Sequence, residues 1–374
     1  MSLLSSLYNL AVLGRLGDDP GPFDPAQVKK ILVVRNDNIG DVICTTPALD
    51  ALRQAFPQAY IAAVVCTLAE EALSGHRALD RLWAYPKAKH KQHGALKSLA
   101  LLGQVLRQVR QERFDLVIAP RVSFSTSQGW IAYASAARWR LGVAAQGKRA
   151  RWGFYYNLPA PQPGPGLHEV ERCFHLLSHI RVDSPDKRLY LKVPQAAALR
   201  AREFLAGHGL DQKPGPVVVN ITRWAYRPDR LWPAENYRAL VEALAGRPGG
   251  VVVTHAPADE QWVLQVLDGL AVPVYWSQSL KEFAALLARG RAVLTAEGGP
   301  MHLAAALGRP LVVLWGRTPI EVWHPWGVDH RIVGGHGPVS QVSPAQMLAA
   351  LEDLLAAQPA PAGRAAQSDV GSGS

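Results

Sequence analysis

The chain has 374 residues, enough for two domains of ordinary size. With 48% hydrophobic and 19% charged residues, it is not a chain that stays largely unfolded. A formal net charge of +10 turns it toward anionic partners, a class that still includes nucleotides, phosphorylated lipid, acidic membrane and nucleic acid.

Residues 1–29 form an N-terminal extension in which Leu3, Leu7, Leu10 and Leu13 fall near helical spacing. A short amphipathic helix is expected there, either packed on the protein or resting on a membrane surface. The segment lacks the basic start of a signal peptide. No stretch approaches the ~20 apolar residues that cross a bilayer. The expected location is the cytoplasm, with peripheral contact to the inner face of the cytoplasmic membrane left open. Cys44, Cys66 and Cys173 are scattered, so reduced thiols are expected rather than a zinc site or a disulfide framework.

From residue 31 the chain alternates between apolar runs and helical periodicity. Strands are expected at 31–35, 60–65 and 114–119, with a helix from the Gly40-Asp41 turn to about residue 56. Helices follow at about 168–179 and 194–207, and residues 211–216 read as a linker. The pattern then restarts, with strands at 216–220, 250–254, 292–295 and 311–314 between helices at 234–244, 259–267 and 300–307. Such alternation predicts βαβ units and mainly parallel sheets. The expected domains are 30–210 and 211–357, with a disordered tail over 358–374.

The turn Glu297-Gly298-Gly299-Pro300 is the most informative segment. A strand ends, two glycines reverse the chain, and Pro300 stands where the first residue of a helix is expected. Unpaired backbone N–H groups and the helix dipole would favour an anion there, at the carboxyl end of a strand. An ordinary strand–helix turn is the competing reading. No G-x-G-x-x-G follows a strand, and the P-loop-like run 142–149 ends in Arg149, not in Ser or Thr.

Asp41, in the Gly40-Asp41 turn, has two readings. It can cap the helix start, or act as a general base that the helix N-terminus keeps ionised but weak. Asp37 is a possible second carboxylate.

Four blocks together resemble glycosyltransferase family 9, the ADP-heptose:lipopolysaccharide heptosyltransferases. They are residues 31–42 with 45–49, Arg230 to Glu235, Leu280 to Pro310, and Leu314 to Thr318. The resemblance implies an α/β GT-B fold, with two Rossmann-like domains whose parallel sheets face across a cleft. It implies an inverting transfer that needs no metal and no cofactor. Asp41 would be the base. Asn38, Gly40, Lys89 and Lys91 would contact a phosphorylated glycolipid acceptor. Arg230 matches the family's phosphate-binding Lys. Thr222, Arg223, Glu297, Gly298, Gly299, Pro300, Met301 and His302 would hold the nucleotide-sugar, ADP-heptose by analogy, with N–H groups of Gly299, Met301 and His302 on the diphosphate. Nucleic acid is not an expected partner.

The sequence departs from the family in the donor half. Glu297 replaces the usual Asp, Gly298 the usual Ser or Thr, and His255 lies in a turn that is usually Gly-rich. These changes leave open another donor sugar, and a non-catalytic glycolipid-binding protein. Two basic stretches read as either a solvated face or an acceptor or membrane surface: Lys87 to His93, and Arg138, Arg140, Lys148, Arg149 and Arg151 with Trp152.

Overall fold

The computed structural model describes residues 20–87, 94–121, 123–223 and 230–357. The expected N-terminal helix, Lys89, Lys91 and the tail over 358–374 lie outside these residues. Contacts divide the chain into two units, Met1–Lys187 and Arg188–Ser374. The division falls ahead of the expected boundary at 210/211. The helix Gln195–Gly207 packs on the helix Leu280–Leu287 and so belongs to the second unit.

In the first unit the strands are β1 (Lys30–Val34), β2 (Tyr60–Cys66), β3 (Arg81–Tyr85), β4 (Leu116–Ala119), β5 (Trp139–Val143) and β6 (Leu158–Ala160). They form one sheet in the order β3-β2-β1-β4-β5-β6. All pairings are parallel, and Leu32 of β1 lies between Ala62 of β2 and Val117 of β4. The second unit contains β7 (Val217–Ile221), β8 (Val251–His255), β9 (Val274–Tyr275), β10 (Ala292–Ala296), β11 (Leu311–Trp315) and β12 (His330–Gly334). Its sheet, also parallel throughout, runs β12-β11-β10-β7-β8-β9. These are two Rossmann-like α/β units, as expected.

Each sheet buries its central strands on both faces, which is why β1, β4, β7, β10 and β11 read as mainly apolar runs. One core joins Leu32, Val34 and Val64 to Trp83, Phe114 and Tyr133. The other joins Val219, Leu294 and Leu314 to Trp232, Tyr237 and Leu351. Burying each such side chain contributes about 1.5–3 kcal/mol, so a charge in place of Val219 or Leu32 would break its unit. Trp232 is wholly core: it donates from Nε1 to the Val342 carbonyl at 2.8 Å and meets Tyr237 edge-on.

The four edge strands, β3, β6, β9 and β12, and the inner strand β5 were not expected from sequence. β5 also corrects the reading of the second basic stretch. Its residues Trp139 and Arg140 are buried, and Arg140 bonds the carbonyls of Tyr155 and Ala137 at 3.0 and 2.9 Å. Burial lowers the Arg140 pKa, with the nearby Tyr133 opposing. Arg140 is therefore part of the fold and not of a basic surface. The P-loop-like run likewise dissolves, since its first glycine, Gly142, lies inside β5.

Candidate active site

Both sheets reverse their strand order once, between β1 and β4 and between β7 and β10. The crevice outside the carboxyl ends of such a pair is where open α/β sheets bind ligands. Of the residues singled out from sequence, those that are described, all but Lys89 and Lys91, lie near these two places, one in each unit.

In the first unit, β1 runs into Arg35, Asn36 and Asp37, and a short helix, Ile39–Ile43, follows. Asn38 is its N-cap, without a side-chain capping bond, and is exposed; Gly40 is buried. Asp41 lies in the first turn. Its carboxylate takes a backbone hydrogen bond from Asn38 and lies 3.2 Å from Arg35 Nη2. Thus it both serves the helix start and remains 20% exposed to a ligand.

Arg35 is fully buried among three carboxylates: Glu169 at 2.5 Å, Asp41 at 3.2 Å and Asp37 at 3.5 Å. Burial works against its charge, but the three carboxylates outweigh burial and raise its pKa. Burial raises the Asp41 pKa, Arg35 opposes, and Asp37 adds to the rise. The expectation of a base weakened by its helix N-terminus is therefore reversed, because desolvation dominates. Burial also raises Glu169, again against Arg35. Asp37, the possible second carboxylate, is committed elsewhere. It accepts from Arg121 Nη1 at 2.7 Å and Gln128 Nε2 at 2.8 Å.

Sequence reading missed Glu169. It opens the helix Glu169–Leu177, whose N-cap His168 accepts from the Val170 N–H at 3.1 Å while Glu171 reaches back to the His168 N–H at 2.8 Å. The only signal was an acidic residue that capping did not need.

In the second unit, the helix Gly299–Ala306 follows β10. Its N-cap Gly298 sits at φ +137°, a conformation essentially restricted to glycine. That explains why the residue here cannot be Ser or Thr without strain. Gly299 is the first helical residue and Pro300 the second, one step later than expected. The His302 N–H donates to the Gly298 carbonyl at 3.4 Å, so it serves the helix and not an anion, contrary to expectation. The N–H groups ahead of the first intrahelical bond are those of Gly298, Gly299 and Met301, since Pro300 has none. The His302 ring is buried and meets Trp323 edge-on.

Glu297 is buried, and its Oε1 lies 3.2 Å from Arg230 Nε. That contact is an ion pair without hydrogen-bond alignment, and among the described residues neither carboxylate oxygen takes a hydrogen bond. A side chain on Gly316 would begin 3.0 Å from Glu297 Oε1, so the bare backbone at 316 makes room for the longer acid. Arg230 Nη2 donates to Thr318 Oγ1 at 2.8 Å, and Trp315 Nε1 fixes that turn through the Thr318 carbonyl at 2.7 Å. Gly316 and Thr318 lie in the block 314–318 that carried part of the resemblance, but neither was named there as a site residue.

Beside this, Thr222 and Thr295 both donate to Asn220 Oδ1, at 3.0 and 3.2 Å. The Arg223 N–H donates to Asp259 Oδ2 at 3.1 Å, while the Arg223 side chain is exposed. His255 ends β8 and lies edge-on to the exposed Trp276. Among the described residues, no group of three or more His, Cys, Asp or Glu is placed to hold a metal ion, and no helix is long and apolar enough to cross a membrane.

The two places differ in chemistry. One holds a desolvated carboxylate suited to accept a proton; the other offers backbone donors and a guanidinium suited to a diphosphate. Residues 102–347 match the model of glycosyltransferase family 9 (heptosyltransferase), a span that begins after the Gly40-Asp41 turn. The chain is 28% identical over 338 residues to lipopolysaccharide heptosyltransferase 1 of Salmonella typhimurium, covering 86% of this chain and 97% of that protein. It is 26% identical over 297 residues to lipopolysaccharide heptosyltransferase 3 of Escherichia coli, covering 77% and 83%. A solved family 9 glycosyltransferase from Veillonella parvula shares the fold with a TM-score of 0.74 at 21% identity, over 88% of this chain and 98% of that one. An Escherichia coli heptosyltransferase bound to ADP-2-deoxy-2-fluoro heptose does so with a TM-score of 0.69 at 23% identity, over 87% and 99%.

Proposed function

Because the chain belongs to glycosyltransferase family 9, and is thus a glycosyltransferase, we propose that it moves heptose from ADP-heptose onto a phosphorylated lipopolysaccharide core, with inversion at the sugar's C1. What carries the reading is the desolvated Asp41 within the first unit, with a helix mouth and Arg230 present within the second. Asp41 takes the proton of an acceptor hydroxyl as its oxygen bonds to C1. The bond from C1 to the diphosphate breaks, and its electron pair leaves on ADP. Arg230 and the N–H groups of Gly299 and Met301 meet the charge that builds there. Fixed donors aimed at developing charge are often the largest catalytic contribution. That supply of positive charge supports a metal-independent reaction. The glycolipid acceptor implies peripheral membrane contact.

Glu297 favours a second reading, in which the donor carries a different sugar, because its carboxylate reaches one methylene further than the family's Asp. A panel of nucleotide-sugars scored by thermal shift, with chelator present, separates the two. ADP-heptose should raise Tm most, by linkage of binding to folding. A larger shift with another nucleotide-sugar, and none with ADP-heptose, would replace the first reading by the second.

A further inference from the structure

The first unit buries one more carboxylate at Asp41 than the proposed reaction uses. Arg35 is fully buried, and its Nη2 is shared between Glu169 Oε1 at 2.5 Å and Asp41 Oδ1 at 3.2 Å. One nitrogen donates to both acids, so a pull of Nη2 toward one draws it away from the other. The shorter bond goes to the deeper acid: the Glu169 side chain is 2% exposed and that of Asp41 is 20%. Glu169 does not cap its own helix, since His168 and Glu171 do that. Among the described residues its Oε2 accepts no hydrogen bond and Arg35 Nε and Nη1 donate none, so neither group is consumed by another structural duty.

We infer that Glu169 is a positioning residue for the transfer: by holding Arg35, it keeps the guanidinium from closing on Asp41 and leaves that carboxylate available to take the acceptor's proton. The inference rests on the reading of Asp41 as the base. The charged neighbours bear on it, among them Arg172, which favours the ionised form of Glu169. Arg35 and Arg121 favour the ionised form of Asp41, and Asp37 opposes it. Glu169 opposes it from the helix Glu169–Leu177, on which the buried thiol of Cys173 also lies; the thiol of Cys44 is at the end of Asp41's own helix. Burial raises both thiols, so they stay protonated and uncharged. Removing the charge of Glu169 frees Arg35 for Asp41 and takes away a negative neighbour. Both changes make Asp41 a weaker base.

The test is the pH profile of transfer from ADP-heptose to a lipid A–core acceptor by the wild type, Glu169→Gln and Asp41→Asn. In Glu169→Gln the acid limb of kcat/KM should move down by on the order of one pH unit. Its plateau should fall several-fold, with the KM for ADP-heptose unchanged. An acid limb that stays in place or moves up overturns the inference, whether activity is kept or lost evenly across pH. Asp41→Asn separates this failure from that of the underlying reading, because free turnover in Asp41→Asn removes the base itself. Should Glu169→Gln not fold, Glu169→Asp carries the test. It keeps the charge but draws it back from Arg35, and must move the limb in the same direction by less.

Discussion

The two sheets share one strand order, and their switch points gather opposite chemistry. Between β1 and β4, three carboxylates surround a buried guanidinium, and Asp41 keeps an edge in solvent. Between β7 and β10, a helix mouth offers backbone N–H groups, and one guanidinium is held by one carboxylate and one hydroxyl. The topology is common to both, so it selects where a ligand meets the sheet. The residues just past the strand ends decide what groups the place presents. In the first unit desolvation raises the pKa of a carboxyl; in the second, backbone N–H groups lie at a helix mouth.

The largest effect expected from this division is that of Asp41→Asn. Transfer should fall by roughly 10²–10⁴-fold, the usual worth of a general base, while ADP affinity measured by calorimetry stays as it was. An equal loss of ADP affinity would break the division of labour between the units. Next comes Arg230→Ala, which should lower kcat by on the order of 10²-fold and weaken ADP binding. The acid limb of the pH profile, set in the first unit, should not move. A displaced limb would show that the guanidinium of the second unit also sets the base.

The smallest effect is on stability. Burial raises the pKa of Asp41 above its ordinary value. The folded protein then holds that proton more tightly than the unfolded chain, so stability falls as pH climbs from the ordinary carboxylate range through the raised value. Asp41→Asn removes this dependence. Its Tm should exceed that of the wild type near neutral pH, and the gap should close below about pH 4, where the carboxyl is protonated in both states. A variant less stable than wild type at neutral pH would make Asp41 a structural partner of Arg35 first.

What the sequence made legible was local. Two glycines, a proline and a run of alanines marked the turn at 297–300, because strand end, turn and helix start all lie within a few residues. The central strands were legible because both their faces are buried. Edge strands such as β9, only Val274–Tyr275, lack that signature. Arg140 misled because a basic residue next to other basic residues suggests a surface, while its bonds run to carbonyls within its own unit. Glu169 was invisible for a different reason. Its partner Arg35 is 134 residues away, and no spacing along the chain announces such a pair.

Each sheet is drawn from one unbroken stretch of chain, β1 to β6 and then β7 to β12, and each stretch has its own core. During synthesis from the N-terminus, all six strands of the first sheet leave the ribosome before the first strand of the second. Nothing in the first sheet waits for a distant segment to complete it, so the unit that carries Asp41 can form while the rest of the chain is still being made. A chain ending at residue 187 and released from the ribosome would then already have Arg35, Asp41 and Glu169 together.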